Sequence, residues 1–324
     1  MVLSSITPLR ISFLGGGTDF PWFFEEHSGG VISTAIDKYI YVSGIPSFDR
    51  VTTFLKYSSY EKVVSNREIR HPIFKVILNK YGLPPFDFAV MSDIPGGTGL
   101  GSSSAFTVGL LNFVSSFLKH SQDSEFLART AIDIELNQLS EPIGIQDHLP
   151  AAFGGFAHYS FEKGGSFKRF DLGLEALSQF ELILVPTGAQ QRQASALTSA
   201  QKDYVSKNAK GMNALQELAA LTEEAGEAIK SKPELLPNYV SKGWELKKAT
   251  NPSSSNDAID RIISEGAARG SLAGKLLGAG GSGFVLLMFH SGGTEKFRSF
   301  ANEVSWRVVD VAPTSRGSHV QQAN

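Results

Sequence analysis

The chain contains no cysteine, which removes disulfides, thiolate metal sites and thiol nucleophiles together. It also lacks a charge excess: 30 lysines and arginines stand against 32 aspartates and glutamates, a net charge of −2. Without a basic surplus there is no electrostatic footprint for nucleic acid. Long hydrophobic runs are missing. The longest, FVLLMF from Phe284 to Phe289, falls far short of the roughly 20 residues of a membrane span. The opening MVLSSITPLRISFLGGG has no basic segment and alternates apolar with polar positions, so it does not read as a signal peptide. The 7 histidines are scattered with no HExxH or similar spacing. A hydrolase is not indicated either, because no G-x-S-x-G elbow surrounds any serine. The expectation is a cytoplasmic protein that binds neither nucleic acid nor membrane.

What is present suits a folded protein: 42% hydrophobic and 19% charged residues give ordinary globular cores and argue against disorder. A length of 324 residues is comfortable for two domains. Strands are predicted at Ile11–Leu14, Tyr39–Ile45, Val51–Tyr57, Phe86–Ile94, Phe180–Pro186 and Phe284–Phe289. Helices are predicted over Ala105–Leu118, Asp123–Leu139, most of Ser195–Ala249 with a break near Pro233 and Pro237, and Asn256–Gly270. The class is α+β. A glycine-rich turn at Lys163–Ser166 suggests two lobes, residues 1–165 and 166–315, followed by a polar tail, 316–324, expected to fray.

The densest signal is PGGTGLGSSSA, Pro95 to Ala105. A strand enters it and an apolar helix leaves it. Glycines let backbone N–H groups approach an anion, and a helix N-terminus favours negative charge, so the segment suits a phosphate. Ser102, Ser103 and Ser104 offer N-cap oxygens and hydroxyls within reach of a magnesium ion. Gly96 and Gly101 have the spacing of the common phosphate loop, yet Ser102 stands where its lysine belongs. The loop is therefore a nucleotide site of another kind, or a tight turn.

Three segments together resemble one family, the GHMP kinases. Pro95, Gly97, Gly99, Leu100, Gly101, Ser102 and Ser103 match its central motif, Pro-x-Gly-x-Gly-Leu-Gly-Ser-Ser, in order. PLRISFLGGGTD (Pro8–Asp19) looks like its N-terminal motif and LGAGGSGFVLL (Leu277–Leu287) like its C-terminal one. The resemblance implies a two-lobed fold. Its N-terminal lobe would be like ribosomal protein S5 domain 2, and its C-terminal lobe a ferredoxin-like α+β unit. It further implies that ATP and Mg2+ are cofactors, bound with a small-molecule acceptor between the lobes.

The same resemblance assigns residues. Pro95, Gly97, Gly99, Leu100, Gly101 and Ser102 to Ser104 would hold ATP, with Ser103 and Glu135 on magnesium. Asp147, in EPIGIQDHLP, matches the catalytic aspartate and Arg10 the arginine that pairs with it. Independently, an arginine in an apolar strand is costly unless its charge is paired, and a carboxylate held by a glycine- and proline-bound turn can reach an acceptor hydroxyl. Each residue also has a structural reading: Asp147 as the cap of a helix starting at His148, Arg10 in a plain salt bridge, Glu135 as a solvated helix carboxylate, His148 as a satisfied structural histidine. The third glycine motif, Gly278–Gly283, either presses on the nucleotide loop or simply packs one lobe on the other.

On the acceptor side stand Asp19, Gly16, Gly17 and Gly144. Galactokinases have Glu-His where Gly16 and Gly17 stand, which argues against galactose. The run Gly15–Val42 and the segment SEPIGIQDHLPAAFGGF are instead similar to bacterial heptose 7-phosphate kinases, implying a sugar phosphate as the partner. Alternatives are a fucokinase-like enzyme with an unphosphorylated acceptor, and a non-catalytic binding module. A distal phosphate needs Arg, Lys or a backbone nest, and Lys38 and Arg192 are the candidate cations.

Overall fold

The computed structural model describes residues 2–120, 122–188 and 194–323. Its frame is β1 (Val2–Leu14), whose residues from Thr7 onward are all buried. β1 runs antiparallel to the long β2 (Gly29–Pro46), with register shifts between Pro8 and Arg10 and between Ser12 and Leu14. Such bulges bend a strand and re-aim its side chains. β2 changes partner along its length. Ile40–Pro46 pairs with β5 (Phe86–Ser92), and Gly29–Thr34 pairs with β6 (Phe156–Glu162). Outside β5 lie β3 (Thr53–Lys56), parallel to it, and β4 (Tyr60–Val63); β7 (Ser166–Asp171) pairs with β6.

Helices α1 (Pro21–His27), α2 (Pro72–Tyr81), α3 (Ser102–Phe117), α4 (Ser124–Asp133) and α5 (His148–Phe153) accompany this sheet. α3 is apolar around most of its circumference and buried from Ser104 to Leu111 and from Phe113 to Ser115. A helix of that kind belongs inside a core. It packs on β1 and β2, and its flank meets an aromatic cluster in which Phe74, Phe86, Phe88, Phe106 and Phe113 sit at centroid separations of 5.2–5.7 Å.

The second sheet has the order β11 (Val309–Val311), β8 (Phe180–Pro186), β10 (Phe284–His290), β9 (Ala273–Leu276), antiparallel throughout. Its alternating side chains enter two cores. Leu182, Leu184, Leu286 and Met288 join the main cluster, while Ile183, Val185, Val285 and Leu287 pack with Trp244, Ile259 and Phe297. Around it run α6 (Ala194–Lys207), α7 (Ala209–Ser231), α8 (Leu236–Thr250), α9 (Asp257–Ala268) and α10 (Glu295–Glu303). Asn208 and Asn256 cap α7 and α9 with their side-chain oxygens. No helix among the described residues is long and apolar enough to cross a membrane.

Three expectations need correction. The division at residues 165 and 166 falls in the turn of the β6–β7 hairpin, whose strands both belong to the first sheet; Gly164 and Gly165, read as a turn at the lobe boundary, supply the positive φ that the hairpin turn requires. Of the tail, the described residues 316–323 do not fray: His319–Ala323 forms β12, paired to β1 from Val2 to Ile6. It is polar because it is an edge strand, a usual defence against edge-to-edge pairing. The helix expected over Asp123–Leu139 gives way to a π-helical turn at Ile134–Gln138.

Removing residues 318–324 should therefore unpair β1 and delete the Ser318 hydroxyl that meets Thr7 Oγ1 at 2.8 Å and accepts from Asn112 at 3.0 Å. At about 0.5–1.5 kcal/mol per lost hydrogen bond, a urea-unfolding loss of at least about 2 kcal/mol is expected. An unchanged midpoint would return the tail to the frayed state.

Candidate active site

Arg10 lies on β1 and is 4% exposed. Its Nε donates to Asp147 Oδ1 at 2.7 Å, Nη2 meets the same oxygen at 2.6 Å, and Nη1 donates to the Gly99 carbonyl at 2.5 Å. One buried cation thus ties the first strand, the glycine loop and the turn before α5. Asp147 occupies the position before that helix, but its side chain caps nothing. Its carboxylate, 26% exposed, faces the cleft with the guanidinium behind it. The capping reading fails, and the pairing reading holds.

The glycine loop ends at Gly101, which takes the N-cap position of α3 with φ 76°; no side chain caps the helix. The expectation that the serines would cap it is not met, so the first N–H groups of α3 stay open toward the cleft. An uncapped helix N-terminus suits an anion. Gly99 (φ 82°) and Gly278 (φ 84°) meet back to back. A Cβ on Gly99 would lie 2.4 Å from the Leu277 carbonyl oxygen, and one on Gly278 would lie 2.5 Å from the Gly99 Cα. The third glycine motif is therefore both lobe packing and a support pressed on the loop.

Glu135 sits in the π-helical turn, a device often found where a helix serves a site. It is buried, not solvated. Its carboxylate accepts from Thr107 Oγ1, from Ser104 Oγ at 3.4 Å, and faces His148 Nε2 at 3.5 Å. Burial works against its charge, but His148 and the two hydroxyls hold its pKa below the usual value. Burial likewise opposes the imidazolium of His148, and the Glu135 charge outweighs it and raises that pKa. The exposed Ser103 and the carboxylate of Glu135 line one cleft with Arg10, Asp147 and Asp19. Among the described residues no cluster of three or more acidic, histidine or cysteine side chains could hold a metal alone. Hydroxyl plus carboxylate fits magnesium only if phosphate oxygens complete the shell, which is how that ion is usually held.

Across from the loop, Asp19 is 1% exposed. It accepts from Gly17 N at 2.8 Å and Gln146 N at 3.4 Å. Burial raises its pKa most, and the charge of Asp147 adds to this; the Gly17 N–H and Lys247 oppose it. Gly144 is required here by close approach, since a Cβ would stand 1.8 Å from Asp19 Oδ2. Gly16 lines the cleft, with only Gln146 near its Cβ direction.

The distal-phosphate candidates fare differently. Lys38 donates to its neighbour Asp37 at 3.1 Å and does not line the cleft. Arg192 lies outside the described residues. The cleft instead contains a cation that was not anticipated, Lys247 on α8, with Lys275 on β9 beside it in an adjoining cavity. Lys275 Nζ donates to the Ser12 and Phe13 carbonyls at 2.8 and 3.1 Å, joining the second sheet to β1. Burial, then Lys247 and Arg10, push its pKa down to about 7. Nothing local marks these lysines: WELKKAT reads as an ordinary solvated helix face.

Comparison with known proteins matches residues 68–155 to the GHMP kinases N-terminal domain. Over 297 residues the chain is 29% identical to the D-glycero-alpha-D-manno-heptose 7-phosphate kinase of Campylobacter jejuni, covering 86% of this chain and 87% of that protein. It is 23% identical to the bifunctional fucokinase/GDP-fucose pyrophosphorylase of Arabidopsis thaliana over 87% of this chain, though over only 29% of that longer protein. Among solved structures, a D-glycero-D-manno-heptose 1-phosphate kinase from Bacteroides thetaiotaomicron superposes with a TM-score of 0.78 at 21% identity, covering 99% of both chains.

A Gly144→Ala substitution should push the Asp19 carboxylate from its place while leaving the glycine loop untouched. A folded variant that binds MgATP normally by calorimetry but turns over acceptor at least about tenfold less efficiently is expected. Normal acceptor kinetics would detach Asp19 from acceptor binding.

Proposed function

We propose that this chain, similar to the GHMP kinases in its N-terminal domain and to a heptose kinase over most of its length, is a sugar kinase of that family that phosphorylates the anomeric C1 hydroxyl of D-glycero-D-manno-heptose 7-phosphate. The product would be the 1,7-bisphosphate, an intermediate of GDP-heptose biosynthesis. The observation that carries the catalytic reading is the Arg10–Asp147 pair at 2.6 Å, anchored on the Gly99 carbonyl. The Asp147 carboxylate lines the same cleft as the open N-terminus of α3 and Asp19.

ATP occupies the loop from Pro95 to Ser104, its phosphates taking the N–H groups that no side chain caps. Ser103 and Glu135 would hold magnesium together with those phosphates, and the ion would supply neutralisation of the charge that develops during transfer. Asp147 accepts hydrogen bonding from the acceptor hydroxyl and takes its proton as that oxygen bonds to the γ-phosphorus. The bond from the γ-phosphorus to the bridging oxygen breaks, and ADP leaves. Arg10 keeps the carboxylate aimed. An anomeric hydroxyl is more acidic than an ordinary alcohol, which suits a carboxylate base.

The heptose reading draws on the 29% identity to the Campylobacter jejuni enzyme and on glycines at 16 and 17 in place of the galactokinase Glu-His. The fucokinase-like alternative draws on the weaker match to the Arabidopsis thaliana protein.

Asp147→Asn keeps the shape and removes the base, so turnover should fall by about 10²–10⁴ while MgATP still binds; near-normal turnover would leave catalysis to positioning and metal. The acceptor is tested by kcat/KM for heptose 7-phosphate against free heptose and free fucose. Loss of a charged contact costs roughly tenfold or more, so the phosphorylated sugar should lead by at least that factor. Equal or better use of a free sugar would replace the heptose phosphate reading.

A further inference from the structure

The second lobe places an ammonium group against the acceptor side of the cleft. Lys247 Nζ donates to the Gly16 carbonyl at 3.0 Å and to Gln201 Oε1 at 3.2 Å. Gln201 is itself fixed, its Nε2 donating to Thr250 Oγ1 at 3.1 Å. An ammonium group has three protons, and these two contacts leave one. Among the described residues no carboxylate forms an ion pair with it; Asp19 acts only through its field. A cation held in this way against a cleft wall is costly without a further polar partner.

Gly17, Asp19, Gln201 and Lys247 line the same cleft, and Gly17 shows how closely the second lobe approaches this wall. Its N–H donates to Asp19 Oδ1 at 2.8 Å, while a Cβ built on it would lie 2.8 Å from Gln201 Nε2 and 3.2 Å from Lys247 Nζ. A side chain at 17 would collide with the Gln201 and Lys247 side chains that α6 and α8 send to this wall, whereas a Cβ at 16 would have only Gln146 near it. Acceptor contacts that the first lobe cannot make through glycines are thus available from the second. An acceptor-only carboxylate and a donor-only ammonium flank one stretch of wall, an arrangement suited to neighbouring hydroxyls of a sugar ring.

We propose that Lys247, oriented by Gln201, binds a ring hydroxyl of the acceptor sugar opposite Asp19 and sets specificity for that hydroxyl. This rests on the sugar-kinase reading, not on the identity of the sugar. Burial lowers the lysine's pKa to about 8, so the contact is strongest below that pH and fades as pH rises through it.

The test uses the full-length enzyme with heptose 7-phosphate, free heptose and fucose, and with ring-deoxy analogues of whichever is turned over. Lys247→Met should raise the acceptor KM by about tenfold to a hundredfold, with KM for ATP and kcat much less affected. One ring-deoxy analogue should be a poor substrate for the natural enzyme and carry no extra penalty in the variant. Should the variant not fold, the natural enzyme still decides: kcat/KM for the acceptor should fall above about pH 8 while that for ATP does not. An unchanged acceptor KM, a KM change for ATP instead, or equal discrimination against every deoxy analogue in both proteins would overturn the proposal. Turnover of fucose but not heptose 7-phosphate would sink the heptose reading and leave this comparison standing on fucose. No turnover of any sugar would overturn both.

Discussion

One buried guanidinium holds the site together. Arg10 gives up water on β1, a strand otherwise lined by Leu9, Ile11 and Phe13, all at most 1% exposed. Its charge is compensated only because two segments far away in sequence converge on it. Gly99 brings a carbonyl from the glycine loop, and Asp147 brings a carboxylate from the turn before α5. Removing either would leave a buried cation short of partners, which is far more destabilising than the pair is stabilising. The loop, the strand and the carboxylate are therefore mutually dependent in position, and positioning is most of what phosphoryl transfer asks of a protein.

The lobes share that dependence. The Gly99 and Gly278 backbones touch so closely that neither tolerates a Cβ, and Lys275 crosses from the second sheet to the end of β1. The main apolar cluster runs through both sheets, with Leu184 and Leu286 joining Phe13 and Ile32. The cleft is accordingly framed by a continuous core, while the wall opposite the glycine loop is completed by polar side chains from α6 and α8.

Glu135 shows a different balance. It is almost fully buried, and its charge is kept by Thr107, Ser104 and His148. The two hydroxyls come from α3 and the imidazole from α5, and a π-helical turn aims the carboxylate between them. An ordinary helix would carry residue 135 on a regular face. The widened turn breaks that regularity, which is why helical spacing in the sequence continued past the point where the α-helix stops.

Several features were settled by the sequence itself, because they depend on local chemistry. The glycines and serines of Pro95–Ala105 dictate a tight loop entering a helix, the apolar run after it dictates a buried helix, and an arginine among apolar strand positions dictates a charged partner. The sequence did not decide what depends on distant groups meeting. Polarity at 319–323 is the same for a frayed tail as for an edge strand, until β1 is there to pair with it. Gly164 and Gly165 look alike in a linker and in a hairpin. Lys247 is one lysine among charged neighbours on a helix, and only the docking of α8 against Gly16 and Gln201 turns it inward. Burial and partner geometry are properties of the assembled fold, and the second wall of the cleft consists of little else.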